Sequence, residues 1–348
     1  MKKRILPVLI ACLILSGCSI ACLPPVTGGQ PAPSGGGLTV HFLDVGQADC
    51  TLVECDGQYM LIDGGNVEDG RFVVSYLLRH GVEQIHTLIC THPHEDHAGG
   101  LAAVLAVFPV QTILSPTATY ASEFFDDFLY YAGQQQTAID IPNPGDTYSL
   151  GSAAVTVLGP VKDYAEINDT SIVVRLDYGE TSFLFTGDME TTAENDMMEY
   201  WDDAWQQADV LKVGHHGSDT STGYRFLYET APDYAVISVG RDNPYGHPHD
   251  RPMSRLLHAG CTVFRTDRLG TVTATSDGQE ITFDWERRHR QPESESKSSS
   301  DAYVGNQNSH VFHTTDCENL PGVHNRVYFG SYLDFIAAGY VPCGYCLD

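Results

Sequence analysis

Thr91-His92-Pro93-His94-Glu95-Asp96-His97 follows directly on the apolar run IHTLIC at 85–90, so a ligand-rich heptad stands where a buried strand should end. Histidines two apart on an extended chain point to the same side and can share one ion. Asp96 and His97 are then free to turn toward a second. A lone histidine is more often structural than a ligand. Three histidines and an aspartate within six residues are hard to explain by packing, and a metal site is the simpler reading. Imidazole and carboxylate suit zinc, manganese or iron, so ligand type leaves the metal open.

Upstream of the heptad, LTVHFLDV (38–45), CTLVEC (50–55) and QYMLID (58–63) read as three strands with turns at Gly46 and Gly57. A helix is predicted from about Asp69 to His80, with Phe72, Val73, Tyr76 and Leu77 as its apolar stripe and Gly81 beyond its C-terminus. Downstream, Leu101, Val104 and Leu105 mark a helix. Strands follow at 111–116, 153–159, 171–178, 181–187, 208–214, 233–240, 262–266, 270–276 and 279–285. No internal repeat is visible, although two βα-rich halves fit this order.

The flanks differ in composition. Lys2, Lys3 and Arg4 precede a short apolar run and then LSGC at 15–18, the pattern of a lipoprotein signal peptide (1–17) with Cys18 as the lipidated residue. An ordinary signal peptide cut near Ala21, giving a secreted protein, is the alternative. Residues 18–37 are rich in proline and glycine and read as a tether. The large domain is expected at 38–285. The polar, serine-rich stretch 286–302 reads as a linker, and 303–348 as a small separate module.

With 42% hydrophobic residues and 18 tyrosines the chain can build a real core. Its 45 acidic against 19 basic residues, a net charge of −26, argue against tight non-specific binding to nucleic acid. They do not exclude catalysis on it, because bound cations dominate the local field of a site. The ten cysteines do not form a disulfide framework: Cys50, Cys90 and Cys261 lie in apolar runs, and Cys317, Cys343 and Cys346 cluster at the end.

The HxHxDH pattern, matched in full, resembles the metallo-β-lactamase superfamily. The resemblance spans 38–285 and is closest to the ComEC-type competence hydrolases. FLDVGQADC resembles the opening strand and turn, with Ala48 in place of the usual glycine, and LIDGG (61–65) the next strand. FTGD (185–188), LKVGHHGS (211–218) and SVGRDNPYGHPH (238–249) resemble the later motifs. The resemblance implies a four-layer αββα sandwich and two divalent metals, zinc or manganese. It implies His92 and His94 at a first site, and Asp96, His97 and either His215 or His216 at a second, with Asp188 between them. We favour His216 as the ligand and His215 as facing substrate.

The superfamily's usual further histidine is missing. INDTSIVV stands in its place, with Asn168 and Ser171, and the first metal site is left one ligand short. Asn168 reads either as a substrate contact or as an ordinary turn. Asp188, His247 and His215 are the candidate catalytic residues, and Asn168, Ser171, Ser218 and Asn243 the candidate substrate contacts. Metal-assisted hydrolysis of a phosphodiester follows, with DNA first among substrates. A phosphorylcholine ester is the alternative, as is an inert surface zinc-binding or adhesion lipoprotein. No protein partner is inferable.

The tail resembles the small zinc module of the Ada repair protein. His313 and Cys317 (H-x3-C) with Cys343 and Cys346 (C-x2-C) give a four-ligand set for one structural zinc, with His310 as a substitute for His313. A disulfide between two of these cysteines is the rival. Arg326 is the module's only Lys or Arg, so it lacks the basic stripe of an independent nucleic-acid binder.

Overall fold

Alternation of side chains along the strands decides the layering. Leu38, Val40 and Phe42 face one interior, whereas His41 between them turns the other way to meet the Tyr76 hydroxyl at 3.1 Å. The same alternation recurs at Phe183 and Phe185 against Leu184, and at Val236 against Ala235 and Ile237. Each strand therefore serves two cores, which requires two sheets with helices outside both.

A computed structural model describes residues 36–348 except 136, 202–206, 290–302, 316, 318, 329–334, 336, 337, 339 and 344–348. The expected signal peptide, Cys18 and Cys346 lie outside the described residues, as does most of the expected tether and linker. Among the described residues, the first sheet holds β1 (Leu38–Phe42), β2 (Thr51–Cys55), β3 (Gln58–Ile62), β4 (Ile85–Ile89), β5 (Val110–Leu114) and β6 (Ile139–Asp140). The second holds β7 (Thr147–Leu150), β8 (Ala153–Gly159), β9 (Val173–Tyr178), β10 (Thr181–Phe185), β11 (Val210–Lys212), β12 (Tyr234–Ile237) and β13 (Thr262–Arg265). β14 (Val272–Ser276) and β15 (Ile281–Trp285) return to the first sheet, giving the orders β15-β14-β1-β2-β3-β4-β5-β6 and β13-β12-β11-β10-β9-β8-β7.

Helices Gly70–Arg79, Leu101–Leu105 and Glu123–Gln134 cover the outer face of the first sheet, through Val73, Leu77, Leu101, Val104, Phe125 and Phe128. Helices Thr191–Tyr200, Tyr224–Thr230 and Asp250–His258 cover the second, through Met197, Phe226 and Leu256. The expected αββα sandwich is thus the fold. Phe183 lies fully buried between the sheets, its ring stacked 6.4 Å from that of Phe185. Phe183→Ala is expected to cost about 3–5 kcal/mol, read as a lower urea midpoint.

Two runs of parallel strands, β3-β4-β5-β6 and β10-β11-β12-β13, present their carboxyl ends as loop platforms. In α/β sheets, sites form outside such ends. The linker begins later than residue 286: Glu286–His289 is a helical turn, and the Arg287 guanidinium pairs with Asp44 and donates to the Asp267 carbonyl. These bonds tie the turn to the sandwich. The tail forms its own sheet of β16 (Tyr303–Asn306), β17 (Val311–Thr314), β18 (Arg326–Val327) and β19 (Val341–Pro342), over a small core of Phe312, Phe335 and Tyr340.

Candidate metal centre

Four loops at those carboxyl ends carry the side chains. THPHEDH follows β4, Asp188 follows β10, His215 and His216 follow β11, and His247 lies beyond β12. Local backbone pays for this convergence: His215 and His216 sit at φ 48° and 51°, and Asp63 at 60°. Left-handed residues other than glycine cost on the order of 1 kcal/mol each and cluster at functional sites. Gly187, at φ 51°, is obligatory on space as well, since a Cβ there would stand 2.9 Å from the Ser171 Oγ.

Three histidines are pinned through Nδ1 so that Nε2 faces inward. The His97 Nδ1–H donates to Asp63 Oδ2 at 2.7 Å, and its Nε2 lies 3.2 Å from Asp188 Oδ1. The His216 Nδ1–H donates to the Ser238 carbonyl at 3.0 Å, and its Nε2 lies 3.2 Å from Asp96 Oδ2 and 3.7 Å from Asp188 Oδ2. The Thr91 hydroxyl donates to Asp63 (2.7 Å), so its oxygen accepts from His92 Nδ1 at 3.2 Å. His92 Nε2 is thereby left bare, 3.1 Å from His94 Nδ1 and 3.9 Å from Asp188 Oδ2. Such hydrogen bonds to the outer nitrogen fix tautomer and ring direction in metal-binding histidines.

These residues fit divalent cations. His97 Nε2 and Asp188 Oδ1 are buried and have no hydrogen-bond partner. Ligand atoms of Asp96, His97, Asp188 and His216 lie within 4.8 Å of one another. Burial holds His92 well below the usual imidazole range and lowers His94 as well, so both would be available as neutral ligands. His97 and His216 go the other way. Burial opposes their charge, but Asp188 and Asp63 lift His97 well above its usual value, and Asp188 and Asp49 lift His216 to about 10. A field that holds protons this firmly would hold cations in the same place, in competition with them. Asp96, His97, Asp188 and His216 would make one site, and His92, His94 and Asp188 a sparser one.

Sequence comparison reaches the same place. The sequence model of the Metallo-beta-lactamase superfamily matches residues 43–241, more than half the chain. The chain belongs to the metallo-β-lactamase superfamily. It is 30% identical over 252 residues to "ComE operon protein 3" of Bacillus subtilis, covering 67% of this chain and 32% of that protein. It is 34% identical over 240 residues to "Recombination protein 2" of Haemophilus influenzae (67% and 28%), and 30% identical over 241 residues to "Competence protein ComA" of Neisseria gonorrhoeae (67% and 31%). The chain therefore matches less than a third of the length of each of these relatives.

Within this superfamily site, Ser171 occupies the ground between His92 and Asp188. Its Oγ accepts the Asp188 N–H at 3.0 Å and lies 3.5 Å from His92 Nδ1. Asn168 donates to Glu190 at 3.2 Å and stands 3.5 Å from His215 Nδ1, with its own Oδ1 buried and unpartnered. His215 Nε2 is 3.7 Å from Asp188, and its other nitrogen is 3.1 Å from Glu190. Ser218 does not reach the centre; its hydroxyl braces Thr220 at 3.0 Å.

Asn243 is a correction. Its amide donates to the Gly240 and His247 carbonyls, and its oxygen accepts from Tyr245 and His247 N–H, so its bonding capacity is consumed in shaping the loop. His247 remains at the rim, its ring 5.5 Å from that of His215, with the Gln47 amide donating to its Nδ1 at 3.5 Å. Burial and the neighbouring His216 and His215 lower it to about 4, so it is neutral at pH 7.

Asp49, Asp63, Thr91, Glu190 and Lys212 were not among the sequence candidates. Lys212 is the most informative: 3% exposed, it pairs with Asp49 at 2.6 Å, and Asp49 Oδ1 lies 3.3 Å from His216 Nδ1. A lone lysine in ADVLKVG, followed by HHGS, was the available signal.

Beneath this loop, Glu194 accepts the N–H groups of Thr222 and Gly223, and burial lifts its carboxyl from 4.5 to about 7. A raised folded-state pKa means stability fully present below pH 4.5 and lost as pH rises through about 7. The loss is expected to be roughly 3 kcal/mol. Urea midpoints at pH 5 and pH 8 should show it, and Glu194→Gln, whose amide mimics the protonated acid, should flatten the difference.

In the tail, His313, Cys317 and Cys343 are buried with ligand atoms within 4.8 Å, and neither cysteine is in a disulfide among the described residues. His310 is outside the cluster, its ring 5.0 Å from that of Tyr340.

Proposed function

We propose that this chain is an extracellular, membrane-anchored phosphodiesterase that cleaves DNA. The observation that carries the reading is the asymmetry around Asp188: Asp96, His97 and His216 gather with it into one cluster of candidate ligands, whereas the flank at His92 and His94, where Ser171 stands, has the side chain of His215 beside it and no such cluster among the described residues. A site with one open flank leaves room for substrate oxygens. One relative is named for competence and one for recombination, which favours a nucleic-acid substrate.

Bound divalent ions would acidify water and neutralise charge developing on phosphoryl oxygens. The chain's own contribution is positional. Asp188 would position the attacking water, and Asp63 and the Ser238 carbonyl keep His97 and His216 in one tautomer. With Nδ1 accepting from Gln47, neutral His247 offers its Nε2–H to a phosphoryl or leaving oxygen. Cys18 would carry the lipid anchor, and the tail would hold one structural zinc on His313, Cys317, Cys343 and Cys346.

Metal analysis coupled to a substrate screen tests this. About three ions per chain are expected, with turnover of single- or double-stranded DNA and of a phosphodiester reporter, lost with chelator. Turnover of phosphorylcholine esters alone would move the substrate class. Bound metal with no turnover would replace the enzyme by a binding lipoprotein.

A further inference from the structure

We infer that His215 is the third imidazole of the sparser cation site, beside His92 and His94, and that Glu190 is the residue that positions it. The inference rests on the two-cation reading of the centre and is independent of which phosphodiester is cleaved. Along a strand, neighbouring side chains point to opposite faces. His215 and His216, at φ 48° and 51°, depart from that: two left-handed residues in succession bring both imidazoles to one carboxylate oxygen. Nε2 of each lies 3.7 Å from Asp188 Oδ2, and His92 Nε2 lies 3.9 Å from the same atom. The His215 N–H donates to the Gly187 carbonyl at 3.2 Å, which ties this turn to the FTGD loop.

His216 has Asp96 at 3.2 Å and belongs to the fuller cluster. The ring of His215 stands 6.2 Å from it with the planes 65° apart, and His94 is within electrostatic reach of His215. Hydrogen bonds decide which nitrogen of His215 is bare. The Glu190 carboxylate, 3.1 Å from Nδ1, can only accept. The Thr220 hydroxyl donates to Glu190 at 3.0 Å, so toward Nδ1, 3.2 Å away, its oxygen accepts as well. Nδ1 therefore carries the hydrogen, and Nε2 faces Asp188 at a distance too long for a hydrogen bond. A cation between them satisfies both acceptors. His97, His216 and His92 are pinned in the same way, through Asp63, the Ser238 carbonyl and Thr91, so His215 shares the construction of the candidate ligands. Glu190 is itself fixed: its N–H donates to Asp169 Oδ1 at 3.0 Å, and its side chain also accepts from Asn168 at 3.2 Å. With His215 in place the site still admits a substrate oxygen, since catalytic zinc can take a fifth ligand.

The test titrates the metal-free full chain with manganese, a metal suited to carboxylate sites rather than to the soft thiols of the tail, and reads calorimetry together with EPR of the free ion. Wild type is expected to take up two ions, one more tightly than the other. Glu190→Ala should weaken the weaker ion by about 10–100-fold and leave the tighter one within about twofold. Glu190→Gln, whose amide oxygen keeps the acceptor, should recover most of that loss, and His215→Ala should weaken the same ion at least as much as Glu190→Ala. In the metal-free protein, imidazole nitrogen shifts in NMR should show Nδ1–H on His215 in wild type and a mixture of tautomers in Glu190→Ala. Unchanged affinity for the weaker ion in His215→Ala, with kcat for a phosphodiester lowered, overturns the assignment and leaves His215 facing substrate. Equal weakening of both ions overturns it too, because His215 would then act only through the turn it shares with His216. Wild type that takes up a single ion overturns the two-cation reading itself. The full metal response without turnover of any phosphodiester supports the ligand and overturns the phosphodiesterase reading instead.

Discussion

Asp188→Asn is expected to lower kcat/KM for a phosphodiester by on the order of 10³-fold or more, with the fold intact. Asp188 stands at the meeting point of every inward-facing nitrogen: 3.2 Å from His97, 3.7 Å from His215 and His216, and 3.9 Å from His92. Its carboxyl is held well below the usual range; burial opposes ionisation, but His97 and His216 outweigh it. Asparagine keeps the volume but removes the charge and replaces one acceptor by a donor aimed at an imidazole nitrogen. Metal content should fall with activity. Unchanged turnover on DNA and on the reporter would defeat the proposed mechanism.

Lys212→Met should act through His216 without touching the reacting atoms. The ammonium donates to the Val213 carbonyl at 3.0 Å and pairs with Asp49 at 2.6 Å, both residues being almost fully buried. Asp49 is brought down to about 2: burial pushes the other way, but Lys212 and then His216 prevail. Removing the lysine strands a buried carboxylate, an effect worth about 3–5 kcal/mol in comparable pairs. The freed Asp49 would then compete with Ser238 for the His216 Nδ1–H. A fall of about 10–100-fold in affinity for the tighter metal is expected by calorimetry, with a changed imidazole nitrogen shift in NMR. Lys212→Arg should restore part of both. Lost stability with unaltered metal affinity would reduce Lys212 to a folding role.

Much of the site could be read locally, because its chemistry is local. Three histidines and Asp96 in THPHEDH mark a candidate metal site whatever surrounds them, and FTGD and HHGS carry candidate ligands within motifs of fixed order. Residues whose role depends on a distant partner could not be read. Asp63 looks like a strand end until Thr91 and His97 pack on it, and Lys212 looks like an interruption of an apolar strand until Asp49 meets it. Asn243 was misread for a different reason. Its partners lie within the loop, but only the folded turn shows that all of them are used.

The sequence by itself implied the sandwich only through its resemblance to the superfamily; that the strands bury both faces, which needs two sheets and two helical layers, is seen in the fold. It also determined the ligand chemistry and the absence of a further histidine near Ser171. The tertiary structure decided which histidine nitrogen faces inward and which buried charges steer it. It alone brought Arg241 to the same cavity beside His247 as Arg265 and Arg268, which lie more than twenty residues further along the chain. Hydrogen bonds and Coulomb fields act across space between residues 200 positions apart, as Gln47 and His247 are, or 243, as Asp44 and Arg287 are, and such pairings exist only once the chain has closed.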